Sequence, residues 1–138
     1  MSRRVVDTSV VLAWCFEDEA NDYSNAILDS LSEDEAVVPS IWPLEVANGL
    51  ANAESHGRID LATSTRFLRR LSDLPIRIDA QTATYAFTHT LVLARNHQLT
   101  SYDASYLELA LREGMELATL AGKLRTAAQR AGARVFEL

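Results

Sequence analysis

Three carboxylates stand at positions that a fold would sooner fill with apolar side chains. Asp7 directly follows Val5 and Val6, at the end of a β-branched run. Alone it suits a helix N-cap, since Asp-Thr-Ser offers side-chain oxygens to free helical N–H groups. Glu45 is the one charge on a stripe of Trp42, Val46, Gly49, Leu50 and Ala53, which helical spacing places on one face. Asn48 and Asn52 continue from it as a polar seam; turned to solvent, that seam would leave the carboxylate simply hydrated. Asp103 heads a second stripe with Tyr106, Leu107, Ala110 and Leu111, and with Thr100 it spells the capping box T-x-x-D. Each acid has an ordinary structural use by itself. Gathered together they would repel, and a hard divalent cation such as Mg2+ or Mn2+ relieves that repulsion with oxygen ligands. Such an ion can activate water and stabilise an in-line phosphoryl transition state.

Other chemistries find less footing. His56, His89 and His97 lack zinc-ligand spacing with the single cysteine, and His56 and His97 lie near expected helix C-termini, where the helix dipole suits them. There is no Gly-rich phosphate loop and no G-x-S-x-G elbow. Cys15, inside the apolar run VVLAWCFED, reads as a packed thiol and excludes an intrachain disulfide framework. The net charge of −6 gives no general sign of nucleic-acid binding. The cations are nearly all arginine, with Lys123 the one lysine, a skew that either phosphate recognition or coding bias would produce. The N-terminus has two arginines before its hydrophobics, but Asp7 interrupts them and no small-residue cleavage site follows. No segment reaches the roughly 20 apolar residues that span a bilayer, so a cytoplasmic location is expected.

Positioning three acids from distant parts of 138 residues requires a fold that returns to one edge. The length fits one domain, residues 1–138, and 48% hydrophobic with 23% charged residues is the balance of a globular chain. Short β-branched runs alternate with longer amphipathic stretches, which predicts an α/β fold. Strands are expected over residues 3–6, 36–38, 76–78, 117–120 and 134–137. Helices are expected over residues 10–16, 21–31, 40–56 (capped by Ser40 and stopped by Gly57), 60–72, 81–96, 101–113 and 123–131. Glu108 and Arg112 read as a solvated i,i+4 pair. Parallel strands need crossover helices, so this order implies a mostly parallel sheet covered on both faces, whose ligands gather at the strands' C-terminal ends. Asp7 sits at one such end.

One helix start is short of acid. In ELATLAGKLRTAAQRAG, residues 116–132, the first turn offers Thr119, Ala121 and Gly122 where a helix N-terminus favours negative charge.

VVDTSVVLAWCFEDE, PSIWPLEVANGLANAE and LTSYDASYLELALREGMELATL together resemble the PIN-domain ribonucleases, in particular the VapC toxins of bacterial toxin–antitoxin modules. The resemblance covers nearly the whole chain in matching order and spacing. It implies a three-layer α/β/α fold with a five-stranded parallel sheet and a Mg2+- or Mn2+-dependent endoribonuclease acting on structured RNA such as tRNA or rRNA. It further implies a homodimer and a cognate VapB-type antitoxin whose C-terminal segment obstructs the active site. Asp7, Glu45 and Asp103 match the family's acids, with Asp7 and Asp103 holding the metal and Glu45 joining directly or through water. Ser9 matches the hydroxyl beside the first acid, and Asn48 the amide a turn after the helix acid. The family's LATLD-x-x-L stretch matches at Leu117, Ala118, Thr119 and Leu120, but Ala121 stands where the fourth acid belongs. Natural loss and deliberate substitution both account for it, and either way metal binding and cleavage should be weakened. Arg66, Arg69 and Arg70, or Arg125, Arg130 and Arg134, could track an RNA backbone, against the plainer reading of solvated arginines. A catalytically weak PIN module that binds antitoxin or RNA is the alternative function, and a receiver-like phosphotransfer domain a more distant one.

Overall fold

The structure is a computed structural model that describes residues 1–138. Four strands, β1 (Arg3–Val6), β2 (Glu35–Val38), β3 (Ile76–Ile78) and β4 (Glu116–Ala118), form one parallel sheet in the order β3-β2-β1-β4. Val5 and Val6 are both buried, as are Ala36 to Val38 in β2 and Leu117 and Ala118 in β4. Successive strand residues point to opposite faces, so consecutive burial means that both faces are covered. This is the three-layer α/β/α arrangement. The edge strand β3 is the exception, with Arg77 and Ile78 exposed.

The fifth strand expected over residues 134–137 is reduced to one parallel bridge between Leu117 and Val135. The Leu117 N–H donates to the Arg134 carbonyl and the Phe136 N–H to the Leu117 carbonyl. Gly132 ends the last helix with φ 85°.

The helices are α1 (Thr8–Ala13), α2 (Asp22–Ser30), α3 (Trp42–Ser55), α4 (Leu61–Ser72), α5 (Thr82–Tyr85), α6 (Leu91–His97), α7 (Ser101–Glu113) and α8 (Gly122–Ala131). Sequence explains most of their ends. Asn21 and Ser24 close a reciprocal capping box on α2, the Asp60 carboxylate accepts from the Thr63 N–H at α4, and the Thr100 hydroxyl accepts from the Asp103 N–H at α7. Ser40 does not cap α3. Ile41 holds the cap position, Pro43 fits the first turn, and the Ser40 N–H donates to Thr82 Oγ1 instead. The helix expected over residues 81–96 is split by a π-helical turn at Ala86–Thr90. The helix expected over residues 10–16 starts earlier, at Thr8, and gives way to a 3-10 turn at Glu17–Glu19.

The Glu108–Arg112 pair is not solvated. Glu108 is only 3% exposed, and the Arg112 guanidinium also donates to Asp79, just beyond β3, while lying over the Tyr85 ring. Helix spacing correctly paired the two, but α7 is covered on that side by the chain from β3 to α6.

Candidate active site

The strand order places the site. From β1 the chain builds outward through β2 and β3, then returns to lay β4 on the other side of β1. Beyond the carboxyl ends of β1 and β4 the connections part, opening the crevice where parallel sheets bind ligands. Asp7 is the first residue after β1 and Thr119 the first after β4, and the Asp7 N–H donates to the Ala118 carbonyl across the gap.

Asp7 occupies the N-cap position of α1, but its side chain makes no cap hydrogen bond. The carboxylate is 4% exposed, and Ser9 Oγ and Thr119 Oγ1 both donate to its Oδ2, at 2.7 and 2.8 Å. No side chain donates to Oδ1. Burial pushes this carboxyl above its ordinary value, and the two hydroxyls partly offset that rise. Ser9 Oγ also accepts the Leu120 N–H, and Thr119 Oγ1 the Ala121 N–H, so the acid is clamped to the β4–α8 turn.

Glu45, in the first turn of α3, is half-buried. Its Oε1 accepts from the Tyr106 hydroxyl at 2.6 Å and from Thr8 Oγ1 at 3.1 Å, and those two hydroxyls lie 2.6 Å apart. Its Oε2 has no hydrogen-bond partner. Burial raises the Glu45 carboxyl, and the charges of Asp7 and Asp103 raise it further. Tyr106 is fully buried, and burial beside Glu45 drives its phenol value up, which keeps it a donor.

Asp103 returns nothing to Thr100, so only half of the capping box forms. Its carboxylate accepts no hydrogen bond. Burial and Asp7 raise its value, while the Lys123 ammonium pulls it down. Glu45 and Asp103 thus feel the charges of the other acids; Glu45 Oε2 and the Asp103 carboxylate accept no hydrogen bond, and Asp7 Oδ1 accepts none from a side chain.

Asn48 is exposed and makes no hydrogen bond to the acids. Ala121 occupies the N-cap position of α8 and supplies no cap. Arg66, Arg69 and Arg70 lie exposed on α4, and Arg66 lines a separate cleft with Arg58 and Cys15, at the opposite end of α1 from Asp7. Arg125 donates to the Thr119 carbonyl and Arg134 to the Gly114 carbonyl, while Arg130 has no ion-pair partner.

Sequence reasoning missed Thr8, Tyr106 and Lys123. Tyr106 stood three residues after Asp103 on the same stripe and read as core; a hydroxyl so close to an acid was its one signal.

The donor set is all oxygen, anionic, and opposed by one lysine. No three acidic, histidine or cysteine side chains are gathered tightly enough to close on an ion unaided. The free oxygens still fit Mg2+, which keeps several waters and is held by one or two carboxylates together with substrate phosphates.

A PIN domain family model matches residues 4–128. The chain belongs to the PIN domain family. No curated protein sequence gave a significant match. Among solved structures, PAE2754 from Pyrobaculum aerophilum is similar at TM-score 0.67 and 24% identity, covering 91% of this chain and 86% of that one. VapBC2 from Rickettsia felis, bound to a DNA fragment from their promoter, gives a TM-score of 0.68 at 14% identity, covering 98% and 97%. FitAcB from Neisseria gonorrhoeae gives 0.61 at 19% identity, covering 96% of each chain. At these identities the likeness speaks for the PIN fold, and that fold replaces the receiver-like alternative. No helix is long and apolar enough to cross a membrane.

Proposed function

We propose that this PIN domain, spanning residues 1–138, is a divalent-metal-dependent endoribonuclease, the VapC-like toxin of a toxin–antitoxin pair. One observation carries the reading: oxygens of Asp7, Glu45 and Asp103 that no side chain occupies, at the switch point of a parallel sheet, in acids whose charges oppose one another. Asp7 Oδ1 and the Asp103 carboxylate would hold Mg2+ or Mn2+, with Glu45 Oε2 joining directly or through water. When bound, the ion supplies a Lewis acid for the phosphodiester and lowers the pKa of water. The protein's own groups do the rest. Ser9 and Thr119 hold Asp7 through Oδ2, so no side chain competes for Oδ1. Thr8 and Tyr106 hold Glu45 Oε1, so that Oε2, on a carboxyl with a raised value, can take up a proton from water.

The substrate class is structured RNA of the tRNA or rRNA kind, in the cytoplasm, and the chain acts as a homodimer. The likeness to VapBC2 and FitAcB supports a small antitoxin partner, which would obstruct the crevice. Ala121 favours a second reading, a catalytically weak module that occupies antitoxin or RNA, because the α8 turn brings no acid. Incubation with tRNA and rRNA in Mg2+ or Mn2+ decides between them. The nuclease reading expects cleavage that EDTA stops and that Asp7→Asn lowers by about 100-fold or more. RNA left intact by the parent chain, or cut equally by Asp7→Asn, overturns it.

A further inference from the structure

A cleft of about 300 Å3 lies between the end of α6 and the length of α8, from Gly122 to Arg130. His97, Lys123, Thr126 and Arg130 line it, with Gln98, and no carboxylate does. In a chain of net charge −6 that is an unusual lining. Lys123, Thr126 and Arg130 follow one another at i, i+3 and i+7, so they share a face of α8, with the small Thr126 and Ala127 leaving the floor open between two long cations. Neither Lys123 nor Arg130 has an ion-pair partner, a condition that Arg3, Arg66, Arg69, Arg70, Arg95 and Arg134 share; what sets these two apart is that they line one cleft free of carboxylates. Two cations left free are available to an anion from outside. Two elements, α7 and α8, relate the cleft to Asp103. Gln98, with φ 52°, reverses the chain so that His97 lies just before α7 and Asp103 in its first turn, and Lys123 reaches Asp103 with its charge.

We infer that this cleft is a phosphate subsite, in which Lys123 and Arg130 hold the backbone of an RNA strand next to the phosphodiester that faces Asp7 and Asp103. The inference deepens the ribonuclease reading and rests on it for the identity of the anion. The subsite gives an acidic protein a local route for a polyanion. Of the six arginines that the sequence offered for RNA, it selects Arg130 and adds Lys123.

The test is fluorescence anisotropy with a labelled RNA hairpin in EDTA, across a range of salt, using the full chain. Lys123→Ala/Arg130→Ala should weaken binding at least about tenfold and flatten the log–log salt dependence by about 1.4, the loss of two single-strand phosphate contacts. Arg69→Ala/Arg70→Ala on α4 should change affinity less than about twofold. All four side chains are exposed, so thermal unfolding should stay unchanged. Equal weakening by both pairs, an unaltered Lys123→Ala/Arg130→Ala protein, or a parent chain that does not bind RNA overturns the subsite. Binding that needs Lys123 and Arg130 without any metal-dependent cleavage keeps the subsite and removes the nuclease. Cleavage untouched by the double variant does the reverse.

Discussion

Ser9 and Thr119 donate to one oxygen of Asp7 and leave the other bare, and Thr8 and Tyr106 do the same for Glu45. A carboxylate kept only for stability would spread its donors over both oxygens. The division has a cost in the metal-free protein, because buried acids without cationic partners resist ionisation. Asp7 has an ordinary value of 3.8 and a raised one in the fold, so between the two the folded chain binds a proton that the unfolded chain lacks. Stability from this group is full below 3.8 and is lost as pH rises through the raised value. Asp7→Asn should therefore stabilise the metal-free chain by about 0.5–2 kcal/mol at pH 7, while removing cleavage. Urea denaturation at pH 7 and at acid pH checks this, and the advantage should shrink on acidification. Tyr106→Phe removes one donor to a charged acceptor and should cost about 1.5–3 kcal/mol by the same measurement. It should also cut cleavage by lowering the turnover rate, leaving the affinity for RNA in EDTA unchanged.

At the scale of elements, α7 is held by polar contacts on its outer side as well as by apolar packing on β1 and β4. Arg112 joins Glu108 to Asp79 in a setting where all three side chains are largely buried. Arg112→Ala leaves two carboxylates uncompensated and should destabilise the fold by about 3–5 kcal/mol, read as a fall in the urea midpoint with an unchanged m-value. This is also where sequence fell short. Spacing within α7 showed the pair but not the β3-to-α6 chain that covers it, because burial of a helix face depends on elements far away in sequence. The split of residues 81–96 was equally hidden, since TATYAFTHTLVLARN carries no proline or glycine to mark a π turn. The strands were legible, as Val5–Val6 and Val37–Val38 are β-branched runs buried on both faces. The last one is reduced to a bridge although Val135 and Phe136 are an apolar pair, and nothing in the residues marks that reduction.

For the whole molecule, the topology does the assembling. Asp7 follows the central strand, and α3 and α7 bring Glu45 and Asp103 to the end of the sheet where the connections from β1 and β4 part. Those acids were readable as breaks in apolar stripes, and the resemblance to PIN domains marked the same three. Their hydroxyl clamps were not, since a Thr beside an Asp reads first as a cap and a Tyr on a stripe reads first as core. Ala121 bears on the assembly too, because the α8 turn is tied to Asp7 through Ser9 and Thr119 yet adds no acid of its own. The most direct measurement is a titration of the metal-free chain with Mn2+, followed by the loss of the free-ion electron paramagnetic resonance signal, beside Asp7→Asn and Ala121→Asp. The parent should bind weakly, Asp7→Asn should lose binding, and Ala121→Asp should bind about tenfold or more tightly, as an added anionic ligand requires. Equal Mn2+ affinity in all three proteins would contradict a metal site built on these carboxylates.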